Sequence, residues 1–285
     1  MTFRDFLIHG FVGYYRNEHL AGTAFAVVTG IALVLCMLTY FIGSLNFSII
    51  ISNRYYQDDV RKYGSGNAGT TNMLRTYGRR AAVLTLGGDA LKAIVSCLFG
   101  YALMGFTGAY ISGFFCMLGH IFPIFYRFRG GKGIVTVAFM ILMLDPVVFA
   151  ILFVVFVILV AASKMVSFGS VMCVLLYPFL LYRLNGPGIP IIFAMLITAL
   201  VVFMHRENIM RIYRGKESKL DFSKLFGRKK KDNEIENGET EDMTDSDTPA
   251  ETDEMSTKKP HAVSADKKKR QKKQREQQRH TDNGN

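Results

Sequence analysis

A helical membrane protein that crosses the bilayer seven times is the fold predicted by this sequence. Half of its 285 residues are apolar; they are concentrated between Ala24 and Phe203, whereas the chain beyond Gly215 is almost entirely polar. A membrane-spanning helix needs about 20 mostly apolar residues. We read seven such segments, at residues 24–45, 80–101, 107–122, 133–144, 146–163, 166–184 and 188–205. A soluble core is a poor alternative, because a domain of this size cannot hide so many apolar runs.

Local composition sets the boundaries of these segments. Asp145-Pro146 divides an otherwise over-long run, because proline lacks a backbone donor and a charge is costly inside the bilayer. Segments three and four are short, so tilt, interfacial placement or burial in protein has to compensate. Residues 1–23 form a lead-in, either an interfacial helix or a polar-aromatic segment, and we expect no cleaved signal peptide. The cysteines fall inside apolar segments and are predicted to be buried, unpaired thiols: Cys36, Cys97, Cys116 and Cys173.

The distribution of lysine and arginine predicts the orientation, since short loops rich in these residues stay in the cytoplasm. The loops after segments one, three and five carry Arg54, Arg61, Lys62, Arg75, Arg79, Arg80, Arg127, Arg129, Lys132 and Lys164, and a basic run follows segment seven. The opposite connections hold little beyond Arg183. Seven segments therefore place the N-terminus outside and the C-terminus in the cytoplasm, whereas six would turn at least one basic loop outward.

Three polar, glycine-containing segments then meet at the cytoplasmic face: residues 63–75, 119–133 and 205–217. In the first, three glycines are interspersed with hydroxyl and amide side chains, namely Gly64, Ser65, Gly66, Asn67, Gly69, Thr70, Thr71 and Asn72. Closely spaced glycines let backbone N–H groups converge on an anion, and the Arg75 guanidinium suits phosphate or carboxylate. An ordinary flexible loop is the alternative.

The second segment ends in Arg129-Gly-Gly-Lys-Gly133 and opens into an apolar helix. Backbone donors at a helix N-terminus next to a lysine make a phosphate site. It is not a Walker A loop, because Gly133 follows Lys132 where Ser or Thr should stand and Phe125 replaces the first glycine. Nucleotide hydrolysis is therefore disfavoured. A basic membrane anchor explains the charges but not three glycines around one lysine.

The third segment places His205, Asn208 and either Arg211 or Ile212 on one face if it is helical. A helix end with a capping histidine is the alternative. Inside segment two, Asp89 and Lys92 lie three residues apart, and pairing lowers a penalty of about 2.5–3.5 kcal/mol for each charge at mid-membrane. We predict a structural role for this pair, with substrate contact by Lys92 as the minor alternative.

Taken together, three motifs carry a resemblance to a known family. Gly64-Ser-Gly-Asn-x-Gly-x-Thr-Asn72…Arg75, Gly119-His-x-Phe-Pro…Gly-Gly-Lys-Gly133 and His205-Arg-x-Asn-Ile-x-Arg…Gly-x-Glu217 resemble the cytoplasmic motifs of the bacterial acyl-phosphate:glycerol-3-phosphate acyltransferases of the PlsY type. The resemblance covers about residues 24–220. It implies a cofactor-free enzyme of the bacterial inner membrane that moves a fatty acyl group from acyl phosphate to the 1-hydroxyl of sn-glycerol 3-phosphate, giving lysophosphatidic acid and phosphate.

The resemblance also assigns site residues. It implies catalytic roles for Ser65, Arg75, His205 and Asn208. The substrate- and phosphate-binding set is Gly64, Gly66, Asn67, Thr71, Asn72, His120, Gly130, Gly131, Lys132 and Gly133. Structural roles fall to Glu217, Asp89 and Lys92. The proton acceptor stays open between a phosphate oxygen of a substrate and the His205 side chain.

Two other functions are less compatible with the sequence. A transporter or binding protein for a phosphate ester would also use glycine nests and cations, but the sequence shows no inverted repeat of the kind many transporters carry. A CDP-alcohol phosphotransferase would require a paired-aspartate metal pattern that the sequence lacks. His261 and Asp266 form a His-x4-Asp pattern typical of other glycerolipid acyltransferases, but it lies in the polar tail and is attributed to chance.

Residues 221–285 are predicted to be a disordered cytoplasmic tail. The segment from Asp232 to Glu254 is acidic and the segment from Lys258 to Arg279 is strongly basic, contributing to a net charge of +11. Such composition cannot bury enough apolar surface to fold. The basic block either contacts anionic lipid, at about 1 kcal/mol per Lys or Arg, or is a solvated extension. We expect a monomer whose core binds membrane lipid and no nucleic acid.

Overall fold

The structure, a computed structural model, describes residues 24–220, which fold into helices and loops without any β-strand. Within this range the helices are α1 (Ala24–Ser44), α2 (Phe47–Tyr56), α3 (Thr70–Tyr77), α4 (Arg79–Ile121), α5 (Ile134–Leu144), α6 (Pro146–Ser163), α7 (Val166–Asn185), α8 (Ile189–Met204) and α9 (Arg206–Tyr213), with 3₁₀ turns at Val60–Lys62 and Ile124–Tyr126. The predicted all-helical class is confirmed. The lead-in and the tail lie outside the described residues.

Helix α4 is a hairpin rather than a single straight rod. Its backbone is non-helical at Met104 and Gly105. A Cβ added at Gly100 would meet the carbonyl of Gly108, and a Cβ at Gly108 would meet the carbonyl of Gly100. Eight residues of straight helix span about 12 Å, so this proximity requires the chain to fold back. The two arms correspond to the separate segments predicted at 80–101 and 107–122.

Helix length alone gives fewer membrane crossings than the sequence predicted. Four helical stretches in the described chain are long and apolar enough to cross a bilayer, and a fifth is the pair α8 and α9, bent by 58°. This count treats both arms of α4 as one span and omits α5, which has only 11 residues. Each predicted segment does coincide with a helix or an arm of α4, and the seven-span topology itself stays a prediction.

The buried core lies between α4, α5, α7 and α8. Its largest fully buried side chains include Tyr110, Met140, Tyr177 and Ile197. Helix α6 instead presents apolar side chains such as Val154 and Ile158 to the outside. This outward apolar surface is what a helix facing hydrocarbon requires.

Helices α5 and α6 meet at the predicted break. The first ends at Leu144 and the second begins with Pro146 at its first position, where a missing N–H is tolerated. The Asp145 carboxylate is buried and accepts hydrogen bonds from the Tyr110 hydroxyl and the Asn185 amide. These bonds close one end of the bundle, opposite the polar segments.

A buried lysine joins α1 to both arms of α4. Lys92 Nζ lies 2.8 Å from the Asp89 carboxylate, as the spacing in the sequence predicted. It also donates to the carbonyls of Gly43 and Leu45, at 3.0 and 2.9 Å, and lies 2.9 Å from Nδ1 of His120. These contacts tie the end of α1 to both arms of α4.

Candidate functional site

The three polar segments border one cavity of about 520 Å³. Twelve of the residues to which the resemblance assigns a role line it: Ser65, Asn67, Thr71, Asn72, Arg75, Asp89, His120, Lys132, Gly133, His205, Asn208 and Glu217. Five others do not: Gly64, Gly66, Lys92, Gly130 and Gly131. The rest of the lining is mostly apolar and comes from α5, α6 and α7. The predicted convergence of the three segments is thus present in the structure.

The first polar segment is shaped by Asn72. Its side-chain amide donates to the carbonyls of Val60 and Tyr63, at 3.1 and 3.0 Å, and its side-chain oxygen accepts the Ser65 N–H at 3.0 Å. Both N–H donors of the amide are therefore used inside the protein, so Asn72 cannot donate to phosphate as predicted. It instead fixes the loop that presents the exposed Ser65 side chain to the cavity.

Arg75 lies on α3, the short helix that follows this loop. One of its terminal nitrogens donates to the Ser218 carbonyl at 3.2 Å. A guanidinium has five N–H donors, so further donors are left to face the cavity that Arg75 lines. This contact also connects the first polar segment to the third.

The second segment differs from the prediction at its glycines. The N–H groups of Gly130 and Gly131 donate to the carbonyls of Ile121 and His120, both at 3.1 Å. These donors hold the loop against the end of α4 and are not free for an anion. The unpaired donors belong to the first turn of α5, where Ile134 and Val135 line the cavity beside Lys132. The backbone donors left at this end of the cavity are therefore those of the helix N-terminus.

The His120 imidazole packs against this loop. Lys92 Nζ can only donate, so His120 Nδ1 is the acceptor of their 2.9 Å hydrogen bond and Nε2 carries the proton. A Cβ added at Gly131 would collide with Nε2, so the loop rests directly on the imidazole. Gly131 is required for this close approach rather than as a phosphate donor.

Arg61 contributes to the site in a way that the sequence did not reveal. Its guanidinium donates to the carbonyls of Tyr126 and Arg129, at 3.1 and 2.8 Å, and pairs with Asp59 at 2.6 Å. It thereby joins the first polar segment to the second. In the sequence Arg61 is one of several loop cations, and no spacing or neighbour distinguishes it.

The third segment is helical from Arg206, as the predicted face requires. Nδ1 of the buried His205 lies 2.8 Å from the Val201 carbonyl and must donate to it, because a carbonyl only accepts. In the neutral imidazole, Nε2 is then an unprotonated acceptor. His205 lines the cavity, so it can receive a hydrogen bond or a proton from a bound group.

Glu217 holds the third segment in place. One carboxylate oxygen accepts from Ser167 and from Asn208, each at 2.6 Å, and the other accepts from Arg211 at 2.8 Å. Burial alone would raise the pKa of Glu217, but these hydrogen bonds outweigh it and hold the pKa below its usual value. The carboxylate is therefore ionised and fixes the Asn208 amide. Its predicted structural role agrees with these contacts.

Lys132 links the second segment to the third. Its ammonium group donates to the side-chain oxygen of Asn208. The pKa of Lys132 is lowered to about 8, first by burial and then by the nearby Arg211, while Glu217 acts in the opposite direction. Arg75 also lines the cavity. The two carboxylates in the lining, Asp89 and Glu217, are paired with Lys92 and Arg211, so Arg75 and Lys132 remain to attract a phosphate-bearing ligand.

Fold and site together define a helical membrane protein in which a cationic site opens into an apolar cavity. Residues 33–215 match the sequence profile of the family described as glycerol-3-phosphate acyltransferase. The chain is 40% identical over 191 residues to a glycerol-3-phosphate acyltransferase of Finegoldia magna, covering 66% of this chain and 96% of that protein. A protein of the same name from Thermoanaerobacter pseudethanolicus is 37% identical over 189 residues, again with 66% and 96% covered.

Solved structures agree with the sequence relatives. The fold is similar to PlsY, an integral membrane glycerol 3-phosphate acyltransferase, in its glycerol 3-phosphate form, with a TM-score of 0.65, 30% identity and coverage of 68% of this chain and 98% of that one. The lysophosphatidic acid form of PlsY gives a TM-score of 0.63 and 29% identity, covering 69% and 99%. This chain belongs to the glycerol-3-phosphate acyltransferase family, and the family predicted from the three motifs is confirmed.

Proposed function

We propose that the protein transfers a fatty acyl group from acyl phosphate to the 1-hydroxyl of sn-glycerol 3-phosphate, in the inner membrane and at the cytoplasmic face. The products are lysophosphatidic acid and inorganic phosphate. The observation that carries the proposal is the two-part cavity. Its cationic end suits two phosphate groups, and its apolar end suits one hydrocarbon chain, which is the combination that these two substrates require.

The cationic end offsets the repulsion between the two substrates. Arg75, Lys132 and the first-turn N–H groups of α5 surround it, and these donors are strongest towards ionised oxygens. Asn208 is held by Glu217 so that its side-chain oxygen receives the Lys132 ammonium group. In solution the two phosphate groups repel each other. In the site, the donors hold both substrates side by side in the orientation that the reaction needs.

The apolar end takes the acyl chain. Leu86 and Phe153 line the cavity and are nevertheless 38% and 54% exposed. The cavity therefore opens sideways to the hydrocarbon of the bilayer. A lipid-soluble donor enters by this route and places its acyl phosphate next to the cations.

The acyl group is already activated, so the protein needs no nucleophile of its own. The glycerol 1-oxygen attacks the acyl carbonyl carbon, and the bond between that carbon and the phosphate oxygen breaks, releasing inorganic phosphate. The hydroxyl proton passes to a phosphate oxygen of a substrate or to the free Nε2 of His205. A positioned general base contributes about 10²- to 10⁴-fold, so a loss in that range for His205→Ala supports the histidine as acceptor.

The proposal is tested with the purified protein in lipid vesicles, given palmitoyl phosphate with and without glycerol 3-phosphate. Release of phosphate that requires glycerol 3-phosphate and is matched by lysophosphatidic acid supports it, and Ser65→Ala should abolish both. Lys132→Ala should raise the KM for glycerol 3-phosphate by about 10- to 100-fold, the value of one hydrogen bond to a charged group. Lys62→Ala is the matched control, because Lys62 is an exposed loop lysine outside the cavity.

Well-folded protein that releases no phosphate contradicts the proposal. Uptake of radiolabelled glycerol 3-phosphate into vesicles by the same preparation would then indicate a transporter.

A further inference from the structure

The apolar part of the cavity has a defined depth along α7. Ser167, Ser170, Val174 and Tyr177 line it from one face of that helix, at spacings of three and four residues. Ser167 lies at the polar end, where it donates to Glu217. Tyr177 follows ten residues later, or about 15 Å along the helix. The cavity therefore runs parallel to α7 from the cationic site into the bundle.

The opposite wall confirms this direction. Helix α5 begins at the cationic site, so Ile134 lies near the polar end and Ile141 two turns deeper. Helix α6 runs the other way, with Phe156 towards the polar end and Phe149 at the deep end. All four side chains line the cavity and leave a narrow apolar channel between the three helices.

The deep end is closed by an aromatic side chain with a polar layer behind it. Tyr177 is fully buried and lies next to Tyr110. The Tyr110 hydroxyl donates to the Asp145 carboxylate, which also accepts from the Asn185 amide. Hydrocarbon that reached this layer would displace hydrogen bonds without replacing them, which is unfavourable in an apolar environment.

The position of Tyr177 is fixed by the backbone around it. Pro178 cannot donate the N–H that would otherwise reach the Val174 carbonyl. The Thr198 hydroxyl of α8 donates to that carbonyl instead, at 2.7 Å. Helix α7 is therefore bonded to α8 at the level of Tyr177. Tyr177, which forms the floor of the channel, thus resists displacement when a longer chain enters.

From this geometry we infer that Tyr177 sets the longest acyl chain that the enzyme accepts. The inference rests on the proposed acyl transfer and adds a specificity-determining residue to it. A chain that stops short of Tyr177 leaves apolar volume unfilled, and each missing methylene lowers kcat/KM by about fourfold. A longer chain either displaces Tyr177 and exposes the polar layer, or leaves through the opening beside Phe153 without filling the deep end, so kcat/KM falls on that side too.

The experiment compares kcat/KM for lauroyl, myristoyl, palmitoyl and stearoyl phosphate at saturating glycerol 3-phosphate. Tyr177→Leu shortens the floor residue and should move the optimum to a longer chain. Val174→Phe fills the channel one turn above the floor and should move it to a shorter chain by a separate route, without removing a core contact. Tyr177→Phe keeps the ring and should keep the optimum.

Leu175→Phe is the matched control. It lies beside Val174 on α7, but its side chain is 49% exposed on the outer surface and does not line the cavity. An unchanged optimum in both Tyr177→Leu and Val174→Phe, with measurable turnover, would overturn the inference. Failure of the proposed function is a different result, because the unmodified protein would then transfer no acyl group from any of the four donors.

Discussion

The pKa of Lys132 lies close to neutral pH. Burial lowers the pKa of its ammonium group to about 8, which is unusual for a lysine whose ordinary value is near 10.4. Such a group is cationic at neutral pH and loses its charge within a mildly alkaline range. Its charge state should therefore be visible in substrate binding.

We predict that affinity for glycerol 3-phosphate falls as the pH rises through about 8. The free enzyme binds the phosphate only when Lys132 is charged. Above the pKa, the fraction of enzyme with a charged Lys132 decreases tenfold per pH unit, so 1/KM should fall with the same slope. The measurement is the KM for glycerol 3-phosphate between pH 6.5 and 9.5. Lys132→Arg is the control, because a guanidinium stays protonated throughout and its KM should be flat. The same alkaline loss in Lys132→Arg would assign it to another group.

The protein favours the ionised form of Glu217, whereas it disfavours the ionised form of Lys132. Its pKa lies below the usual value, so its contribution to stability is complete above the unfolded pKa of about 4.3 and is lost as the pH falls through the folded pKa. Glu217→Gln should lower the free energy of unfolding by about 1.5–3 kcal/mol at neutral pH, the value of hydrogen bonds to a charged group.

Glu207→Gln provides the comparison for Glu217. Glu207 also faces Arg211, at 3.8 Å, but its side chain is 74% exposed, and such surface pairs contribute about 0–1 kcal/mol. Thermal unfolding in detergent at pH 7 and pH 4 measures both variants. Equal losses in the two at pH 7, or a Glu217→Gln defect that is larger at pH 4 than at pH 7, would contradict the assignment.

At the scale of elements, the Lys92 ammonium group holds α1 and both arms of α4 together. Lys92→Met would leave the Asp89 carboxylate buried without its cation, together with the carbonyls of Gly43 and Leu45. Breaking one side of a buried pair costs about 3–5 kcal/mol. We therefore expect a large drop in unfolding temperature in detergent.

The double variant Asp89→Leu/Lys92→Met separates the charge effect from the packing effect. Removing both charges avoids the uncompensated carboxylate, so most of the lost stability should return. A double variant as unstable as Lys92→Met alone would show that the carbonyl contacts, rather than the ion pair, hold α1 in place.

The elements that the sequence predicted well are those governed by local rules. The break at Asp145-Pro146 follows from proline chemistry, and the long apolar runs follow from hydropathy. Helix α2 was missed because its ten residues are too few for a span. The Asn46 cap, whose side chain accepts the Ile49 N–H, is the signal that marks its start.

In the candidate site, too, the sequence predicted the features that depend on local composition and missed those that depend on tertiary contacts. Glycine content and charge identified the three segments, but not the destination of each N–H group. The N–H groups of Gly130 and Gly131 are directed to carbonyls of α4, and the Asn72 amide is directed to its own loop. Each of these partners is set by turn geometry and long-range packing, which a single sequence does not encode in its residue spacing.

At the scale of the whole molecule, the family match ends at residue 215 and the described residues end at 220. We predict that deleting residues 230–285 leaves kcat/KM for both substrates unchanged in detergent. The deletion variant and the full chain are compared by phosphate release at equal concentrations of folded protein. A truncation that also removes α9 should be inactive, because it removes Asn208. Loss of turnover in the shorter deletion would give the tail a part in catalysis.

The end of the helix bundle at which the basic loops lie predicts the membrane orientation. The loop at Lys164 lies at the end that carries the polar segments, since the Leu220 N–H donates to the Lys164 carbonyl at 2.7 Å and Ser167 bonds Glu217. The connection between α7 and α8 lies at the other end, beside the buried Asp145. We therefore predict that Lys164 faces the cytoplasm and Pro187 faces outward.

This orientation is measured by labelling single cysteines in intact cells with a membrane-impermeant maleimide, after the four native cysteines are replaced by alanine. Pro187→Cys should be labelled in intact cells, and Lys164→Cys only after the membrane is opened, because both positions are exposed loop residues and differ only in side. An odd number of crossings between the N-terminus and Lys164, as seven spans require, then places residues 1–23 outside. Labelling of Lys164→Cys in intact cells would invert the topology and move the cationic site, with its soluble substrate, to the outer face.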